Sequence, residues 1–442
     1  MTPSSPAGTH IVGTTAAEIS DSVRRLVDRG VLAPGDALPP VRALAEQLGI
    51  NRNTAVAGYR QLATSGVVVS AGRSGTRIAS PDPVAQEGFS PDDGARDVGA
   101  GNPDPRFIPD PSRALAHVAG RPVLYGAPVV DPGLEAWARE FLAADLGRDA
   151  ATLRVTVTSG ASDALDRLFT ALLTPGDLVA IEDPGFLTGI HTLRVGGYRA
   201  APVPVDGEGM TPDGLRAALA AGARAVVHTP RAQNPTGVSL SAGRADELRA
   251  ILADHPYVLI VEDDHFSLLS RRRFHSLIAP DHERWALVRS VSKFLGPDMN
   301  VALVASDAHT AGRLGMRLRP GTAWVSHLLQ RLALALITDG PVRADIERAA
   351  AHYAGRNDSF RAALARYGID CPPSDGLSIW VPVSAPARSV TAQLRERGWV
   401  VRSGDEFRVA ASADPSHHVR VTAHDLDDRA QDALAAAIAS AA

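Results

Sequence analysis

Between residues 154 and 289 five short apolar runs alternate with patterns of helical period, and this alternation limits the fold more than any other feature of the chain. The runs lie at 154–158, 178–181, 225–229, 258–261 and 286–289, and segments such as 163–173 and 245–253 carry the helical pattern between them. Runs this short and continuously apolar behave as strands buried on both faces, the habit of parallel strands. Strands alternating with helices predict an α/β domain with a mainly parallel sheet. In such sheets ligands bind beyond the carboxyl ends of the strands. The residues that follow each run are therefore the first place to look for chemistry.

Ser159-Gly160-Ala161-Ser162 follows the first run and opens a helical pattern. Small residues at a helix start leave backbone N–H groups available to a phosphate. The second run leads into Asp183-Pro184-Gly185-Phe186, a turn presenting an aromatic ring, and the third into Asn234-Pro235-Thr236-Gly237. Glu262-Asp263-Asp264-His265 follows the fourth, and Ser290-Val291-Ser292-Lys293 the fifth. Singly, each has a plain structural reading as a tight turn, a loop or a helix cap. In order at five successive strand ends, they are the parts needed to hold pyridoxal 5'-phosphate. A lysine forms the imine with the aldehyde, and a carboxylate keeps the pyridine nitrogen protonated so that the ring can act as an electron sink. An amide donor addresses the ring oxygen, an aromatic side chain stacks on the ring face, and the helix start takes the phosphate.

Composition singles out the same lysine. Lys293 is the only lysine in the chain, so 44 of the 45 basic residues are arginine. Arginine supplies positive charge but cannot shed its proton to act as an amine nucleophile. Lys293 stands where the chemistry needs an amine that can.

The charge is unevenly placed. Residues 1–80 hold eight arginines against five acids, a balance of +3 in a chain whose net charge is -4. A basic head on an acidic body suggests a polyanion-binding module fused to something else. Ala16, Ile19, Val23, Leu26 and Val27 recur at helical spacing, and Val41, Leu44, Ala45 and Leu48 predict a short second helix that Gly49 ends. Asn51 then caps a third helix running to about Thr64, with Val56, Tyr59 and Leu62 facing inward. Two short helices joined by a tight turn make a helix-turn-helix, and strands over 67–69 and 76–79 would form a wing. In such a module the first turn of the second helix of the pair enters the major groove. Asn51 opens that turn, and Arg52, Asn53 and Thr54 occupy it; Arg and Asn make bidentate contacts to guanine and adenine. Arg42 and Arg73 are placed for phosphates of double-stranded DNA. The plainer alternative is a small helical domain with a solvated basic face. Residues 80–98, rich in Pro, Asp and Gly, read as a linker.

ALPPVRALAEQLGINRNTAVAGYRQLATSGVVVSAGRSGTRIAS resembles the winged helix of the GntR family, with Pro40 where family members often carry a capping Ser. From about Gly99 to the C-terminus the chain resembles the fold-type I aminotransferases. That resemblance assigns Lys293 to the imine, Asp263 to the pyridine nitrogen, Asn234 to the ring oxygen, Phe186 to stacking and Gly160-Ala161-Ser162 to the phosphate. Ser290, Ser292 and His265 complete the cofactor set. LYGAPVVDPGLEAW resembles the family's entry segment, which makes Tyr125 a phosphate contact across a dimer interface. His418-Val419-Arg420-Val421-Thr422 resembles the strand whose arginine grips a substrate carboxylate, which points to Arg420. In a chain this rich in arginine, a strand Arg also has a plain surface reading. The order winged helix, linker, aminotransferase-like body resembles that of the MocR regulators. VEDDHFSLLS, SVSKFLGPDMNVALVASD and RPGTAWVSHLLQ look most like the PtsJ type, a group linked to vitamin B6 metabolism.

The implied architecture is a winged helix over 1–80, a linker over 81–98 and an α/β fold-type I body over 99–442, with a small C-terminal subdomain from about 340. Two departures from the family pattern stand out. His265 replaces the usual Tyr near the ring oxygen, which would make that contact pH-sensitive. Asn300 replaces the arginine that usually clamps the phosphate seven residues after the lysine, with Arg289 as the candidate to compensate. The resemblance implies a transcriptional regulator that binds pyridoxal phosphate through Lys293 and answers to it, or to its adduct with a small amine or amino acid. The alternative is a working aminotransferase with an appended DNA-binding head. Aminotransferase folds usually pair, so a homodimer is expected. No apolar stretch approaches about 18 residues, the start lacks a signal pattern, and Cys371 has no partner for a disulfide. A cytoplasmic protein with no membrane or metal partner is expected.

Overall fold

A computed structural model describes residues 11–70, 75–79, 94–118, 122–318, 324–409 and 414–442. Backbone contacts divide the chain into two units, with the main break after Val84.

In the first unit, α1 (Ala16–Asp28) opens on a capping box in which Thr15 and Glu18 satisfy each other's backbone N–H groups. α2 (Val41–Leu48) ends at Gly49 in the left-handed conformation, φ 66°. α3 (Arg52–Thr64) starts where the Asn51 side chain accepts the N–H of Asn53 at 2.8 Å. Ile19, Val23, Leu44, Ala55, Tyr59 and Leu62 close the core. Ala55 takes the inward place expected for Val56, which is only half buried. The reason is close packing of α3 on α1: a Cβ on Gly58 would lie 3.0 Å from Ile19 Cγ2, so this face of α3 must carry small residues. β1 (Val68–Ser70) and β2 (Thr76–Ile78) pair antiparallel with Val68 opposite Ile78, giving the wing. Arg73 lies outside the described residues, as do residues 80–93.

The second unit is built on an eight-stranded sheet in the order β4-β11-β10-β9-β8-β5-β6-β7. Its strands are β4 (Arg154–Thr158), β5 (Leu178–Asp183), β6 (Arg199–Asp206), β7 (Gly209–Met210), β8 (Ala223–His228), β9 (Leu259–Asp263), β10 (Trp285–Ser290) and β11 (Ala302–Ser306). β6, β5, β8, β9 and β10 pair in parallel. All six residues of β10 are buried, which is why the run shows no polar alternation. β4 was expected among the parallel strands, but it pairs antiparallel with β11, which pairs antiparallel with β10. Two reversals leave β4 pointing the same way as β10, so its carboxyl end still lies on the edge where the other strands finish.

The 27-residue helix Gly340–Arg366 joins two hydrophobic cores. Val342, Ile346, Ala349 and Tyr353 belong to the core of the large sheet, while Phe360, Ala363 and Leu364 belong to that of a small subdomain. There β12 (Ile379–Pro382), β15 (His418–Val421) and β14 (Arg402–Ser403) make an antiparallel sheet. β3 (Arg96–Asp97) pairs with β13 (Trp399–Val400), and Val98 is buried in the subdomain core. The expected linker therefore ends before Arg96, because one buried valine and two strand residues at its end tie it down. Among the described residues no helix is long and apolar enough to cross a membrane.

Candidate functional site

Asp263 closes β9 and is buried, and its Oδ1 has no hydrogen-bond partner. Burial, then the neighbouring charges of Asp264 and Glu182, push its carboxyl up to about 7. The next residue behaves in the opposite way. Burial alone would raise Asp264, but the guanidiniums of Arg289 and Arg231 outweigh it and hold the carboxyl below its usual range. Arg231 meets it with both Nε and Nη2, at 3.1 and 2.5 Å, and Arg289 Nε adds a third bond at 2.8 Å. One acid is thus satisfied by its own chain. The other, among further acids and short of a donor, is a seat for a cationic N–H such as a protonated pyridine.

One strand over, Lys293 sits in the short helix Ser292–Leu295 just beyond β10. Ser290 Oγ accepts the N–H of Ser292 at 3.2 Å and fixes that turn. Lys293 is half buried, and its Nζ donates to the carbonyl of Gly101 at 2.7 Å. It opens on a cleft whose walls include Asn234, His265, Asp375 and Arg420. Arg420, on β15, is fully buried rather than a surface residue. Its Nη1 donates to Asn234 Oδ1 at 2.9 Å and its Nη2 to the Gly99 carbonyl at 2.6 Å, while its guanidinium lies 4.9 Å above the Phe407 ring centre. The rings of Phe186 and His265 are nearly parallel, 11° apart with centroids separated by 6.4 Å. They present surfaces of one orientation, as a planar ligand requires.

At the end of β4, the helix Gly160–Leu172 starts on Gly160 with φ +81°. A Cβ there would lie 2.5 Å from Asn300 Oδ1, so glycine is required and the Asn300 carboxamide lies over the helix start. Ala161 is half buried and Ser162 exposed. The helix N-terminus attracts an anion through its dipole and first N–H groups, and Asn300 adds a neutral amide where a guanidinium would add charge. Arg289 does not compensate. It is buried, committed to Asp264, and 2.8 Å from Asp145. Tyr125 stands apart, 77% exposed and edge-on to Trp324.

Two further groups were not foreseen from the sequence. His228 Nδ1 lies 2.6 Å from Glu182 Oε1 in a buried pair whose carboxylate adds to the field on Asp263. Asp375 enters the cleft wall from the small-subdomain side, held by the N–H of Gly376 at 3.0 Å and by the hydroxyls of Ser239 and Ser270, with burial raising its carboxyl. The only signal for either was cross-strand register or a common Asp-Gly turn.

On the winged helix, Arg52 and Asn53 are exposed at the start of α3 and Thr54 is half buried. Arg42 is exposed beside Glu46 at 3.3 Å. Asn51 Oδ1 is occupied as the helix cap, which leaves its amide N–H groups for any outside partner.

Residues 116–438 match the family of class I and II aminotransferases, and residues 15–78 match the bacterial regulatory proteins of the gntR family. The chain is 47% identical over 431 residues to the vitamin B6 salvage pathway transcriptional repressor PtsJ of Salmonella typhimurium, covering 97% of this chain and 98% of that protein. It is 28% identical to the pyridoxine biosynthesis transcriptional regulator PdxR of Corynebacterium glutamicum, over 93% and 92% of the two chains. Among solved structures, the kynurenine aminotransferase of Pyrococcus horikoshii superposes with a TM-score of 0.71 at 20% identity, covering 78% of this chain and 91% of that one. The last likeness shows the fold. Together with the winged helix and the long match to PtsJ, it identifies the chain as a member of the MocR-type transcriptional regulators, a gntR-family DNA-binding domain fused to a fold-type I aminotransferase body.

Proposed function

We propose that this regulator binds pyridoxal phosphate covalently through Lys293 and that cleft occupancy, by the cofactor alone or joined to a small amine or amino acid, sets how the winged helix engages double-stranded DNA. The observation that carries the reading is Asp263: a buried carboxylate oxygen without a donor, one strand from the only lysine of the chain. When bound, the cofactor supplies an aldehyde that captures amines and a ring that accepts electrons. The chain's own residues do the rest. Lys293 sheds a proton to become nucleophilic. Asp263, ionised beside a pyridinium, gains the partner it lacks. Asn234, with Oδ1 held by Arg420, has only amide N–H groups to offer a ring oxygen. His265 offers a second donor, and Phe186 covers the ring face. Gly160, Ala161 and Ser162 take the phosphate, with Ser290 and Ser292 shaping the turn that carries Lys293. Arg420 grips a carboxylate.

The likeness to PtsJ and PdxR supports a role in the control of vitamin B6 metabolism. Tyr125, exposed and away from the cleft of its own chain, fits a contact to the cleft of a second copy, which makes the working species a homodimer acting in the cytoplasm on a repeated or palindromic site. An absorbance titration with pyridoxal phosphate tests the covalent claim: a new band in the wild type, absent in Lys293→Ala, is the expected result, and no band in either defeats it. The intact Arg420–Asn234 pair favours one rival, an aminotransferase with a DNA-binding head. Sustained transamination on the order of one turnover per second or faster would favour that rival.

A further inference from the structure

The segment that leads out of residues 80–93 crosses the small subdomain and runs into the cleft. Its first contacts are ordinary backbone pairs. The N–H of Arg96 donates to Gly398 O at 2.8 Å, that of Val98 to Val400 O at 2.9 Å, and Thr422 N–H donates to Val98 O at 2.6 Å. The next two are of another kind, because side chains of the proposed site make them: Arg420 Nη2 on Gly99 O, and Lys293 Nζ on Gly101 O. Beyond them His424 Nε2 meets Asn102 O at 2.9 Å, and Asp104 N–H donates to the Tyr353 hydroxyl at 3.0 Å. Glycine is needed along this path. Gly101 has φ +69°, and a Cβ on Gly99 would crowd Arg402 Cγ at 3.1 Å.

We infer that this strap, residues 96–104, and the ligand compete for Lys293 and Arg420, so that filling the cleft with pyridoxal phosphate and a carboxylate-bearing amine loosens the strap and alters the tether of the DNA-binding head. The inference rests on the reading that Lys293 binds the cofactor. Condensation of the Lys293 amine with the aldehyde would form a C=N bond and release water once a proton has left the ammonium, drawing Nζ from the Gly101 carbonyl. A free amine that then takes the aldehyde returns the Lys293 amine, so with such a ligand the lasting loss falls on the Arg420 contact. A carboxylate makes charge-assisted bonds to a guanidinium about twice as strong as those of a neutral carbonyl, so it displaces Gly99 O from Arg420. An amine lacking a carboxylate leaves that second contact in place. The coupling is reciprocal: whatever weakens the strap elsewhere tightens the ligand by the same factor.

Tyr353→Phe tests this in the full chain. It keeps the ring and removes one strap anchor outside the cleft. Pyridoxal phosphate with excess L-alanine should bind the variant several-fold more tightly than the wild type, read from the absorbance band. In the wild type the same mixture should speed amide hydrogen exchange in 96–104 on the order of tenfold, and pyridoxal phosphate with ethylamine should do so less. Affinity unchanged or weakened in Tyr353→Phe overturns the inference, as does exchange unchanged or slowed while the band shows the cleft filled. Equal effects of L-alanine and ethylamine overturn the part assigned to Arg420. No band at all defeats the proposed function itself, and the inference falls with it.

Discussion

The floor of the proposed site, Asp263 at the end of β9 and Phe186 just after β5, is placed by the strand that precedes each residue. The opposite wall is assembled over long sequence distances, with Arg420 on Asn234 across 186 residues and Lys293 on Gly101 across 192. The floor is held by groups no ligand would displace, above all the Asp264–Arg231–Arg289 cluster. The wall is held by groups a ligand would use. On the proposed function, the difference would separate scaffold from switch: a regulator that answers to a bound ligand needs a rigid seat and a contact set that changes when the seat is filled.

The largest effect should come from breaking the floor. Asp264→Asn removes the carboxylate that two buried guanidiniums share, leaving Arg289 with Asp145 alone and Arg231 without its ion pair. It should destabilise the protein by about 3–5 kcal/mol, read in denaturant unfolding. A loss below about 1 kcal/mol would mean the cluster is not the rigid element described.

Asp263 should show the opposite behaviour in the cofactor-free protein. Folded, its carboxyl holds a proton up to about pH 7; unfolded, it releases that proton near 3.8. Between those values the folded chain binds more protons, so stability falls as pH rises through this window. Asp263→Asn should remove that slope and gain on the wild type by about 2–4 kcal/mol between pH 4 and pH 8. The same variant should bind pyridoxal phosphate far more weakly. A variant that gains nothing at high pH would contradict the account of Asp263 as an acid waiting for a cation.

These two acids also show how much the sequence disclosed. The strand ends were legible because a parallel sheet puts its chemistry there, and a single lysine in SVSK marks one of them. Asp263 and Asp264 are adjacent and alike in sequence, so which one is satisfied could be told only from Arg231 and Arg289, residues that the fold brings from elsewhere. The winged helix was legible almost to the residue, since caps and periods are local, while Val56 lost its place to Ala55 because close helix packing is not. β4 was read as parallel because burial looks the same with an antiparallel neighbour. In the wall, Asn234, His265 and Arg420 were legible through the resemblance, whereas Asp375 and the contacts to the Gly99 and Gly101 carbonyls were not, since a backbone carbonyl leaves no mark on composition.

The wall should respond more gently. Arg420→Gln should cost about 10–100-fold in the affinity of the cofactor-bearing protein for amino acids, or about 1.4–2.8 kcal/mol, while pyridoxal phosphate alone binds within about threefold of wild type. Equal losses for both would mean that Arg420 supports the floor rather than grips a carboxylate. The smallest effect belongs to the winged helix. Asn51→Ala removes the α3 cap and should cost about 1 kcal/mol, seen as roughly fivefold faster exchange of the first α3 amides, whereas Asn51→Ser should retain most of the protection.

The central claim is that cleft chemistry governs DNA binding. Its most direct test is the affinity and footprint of the full-length protein on DNA from upstream of its own gene, measured with and without pyridoxal phosphate for the wild type and for Lys293→Ala. The account predicts that the cofactor shifts the wild-type affinity or changes its footprint and leaves Lys293→Ala unaffected. Identical binding by the wild type under both conditions, with the absorbance band present, would contradict it.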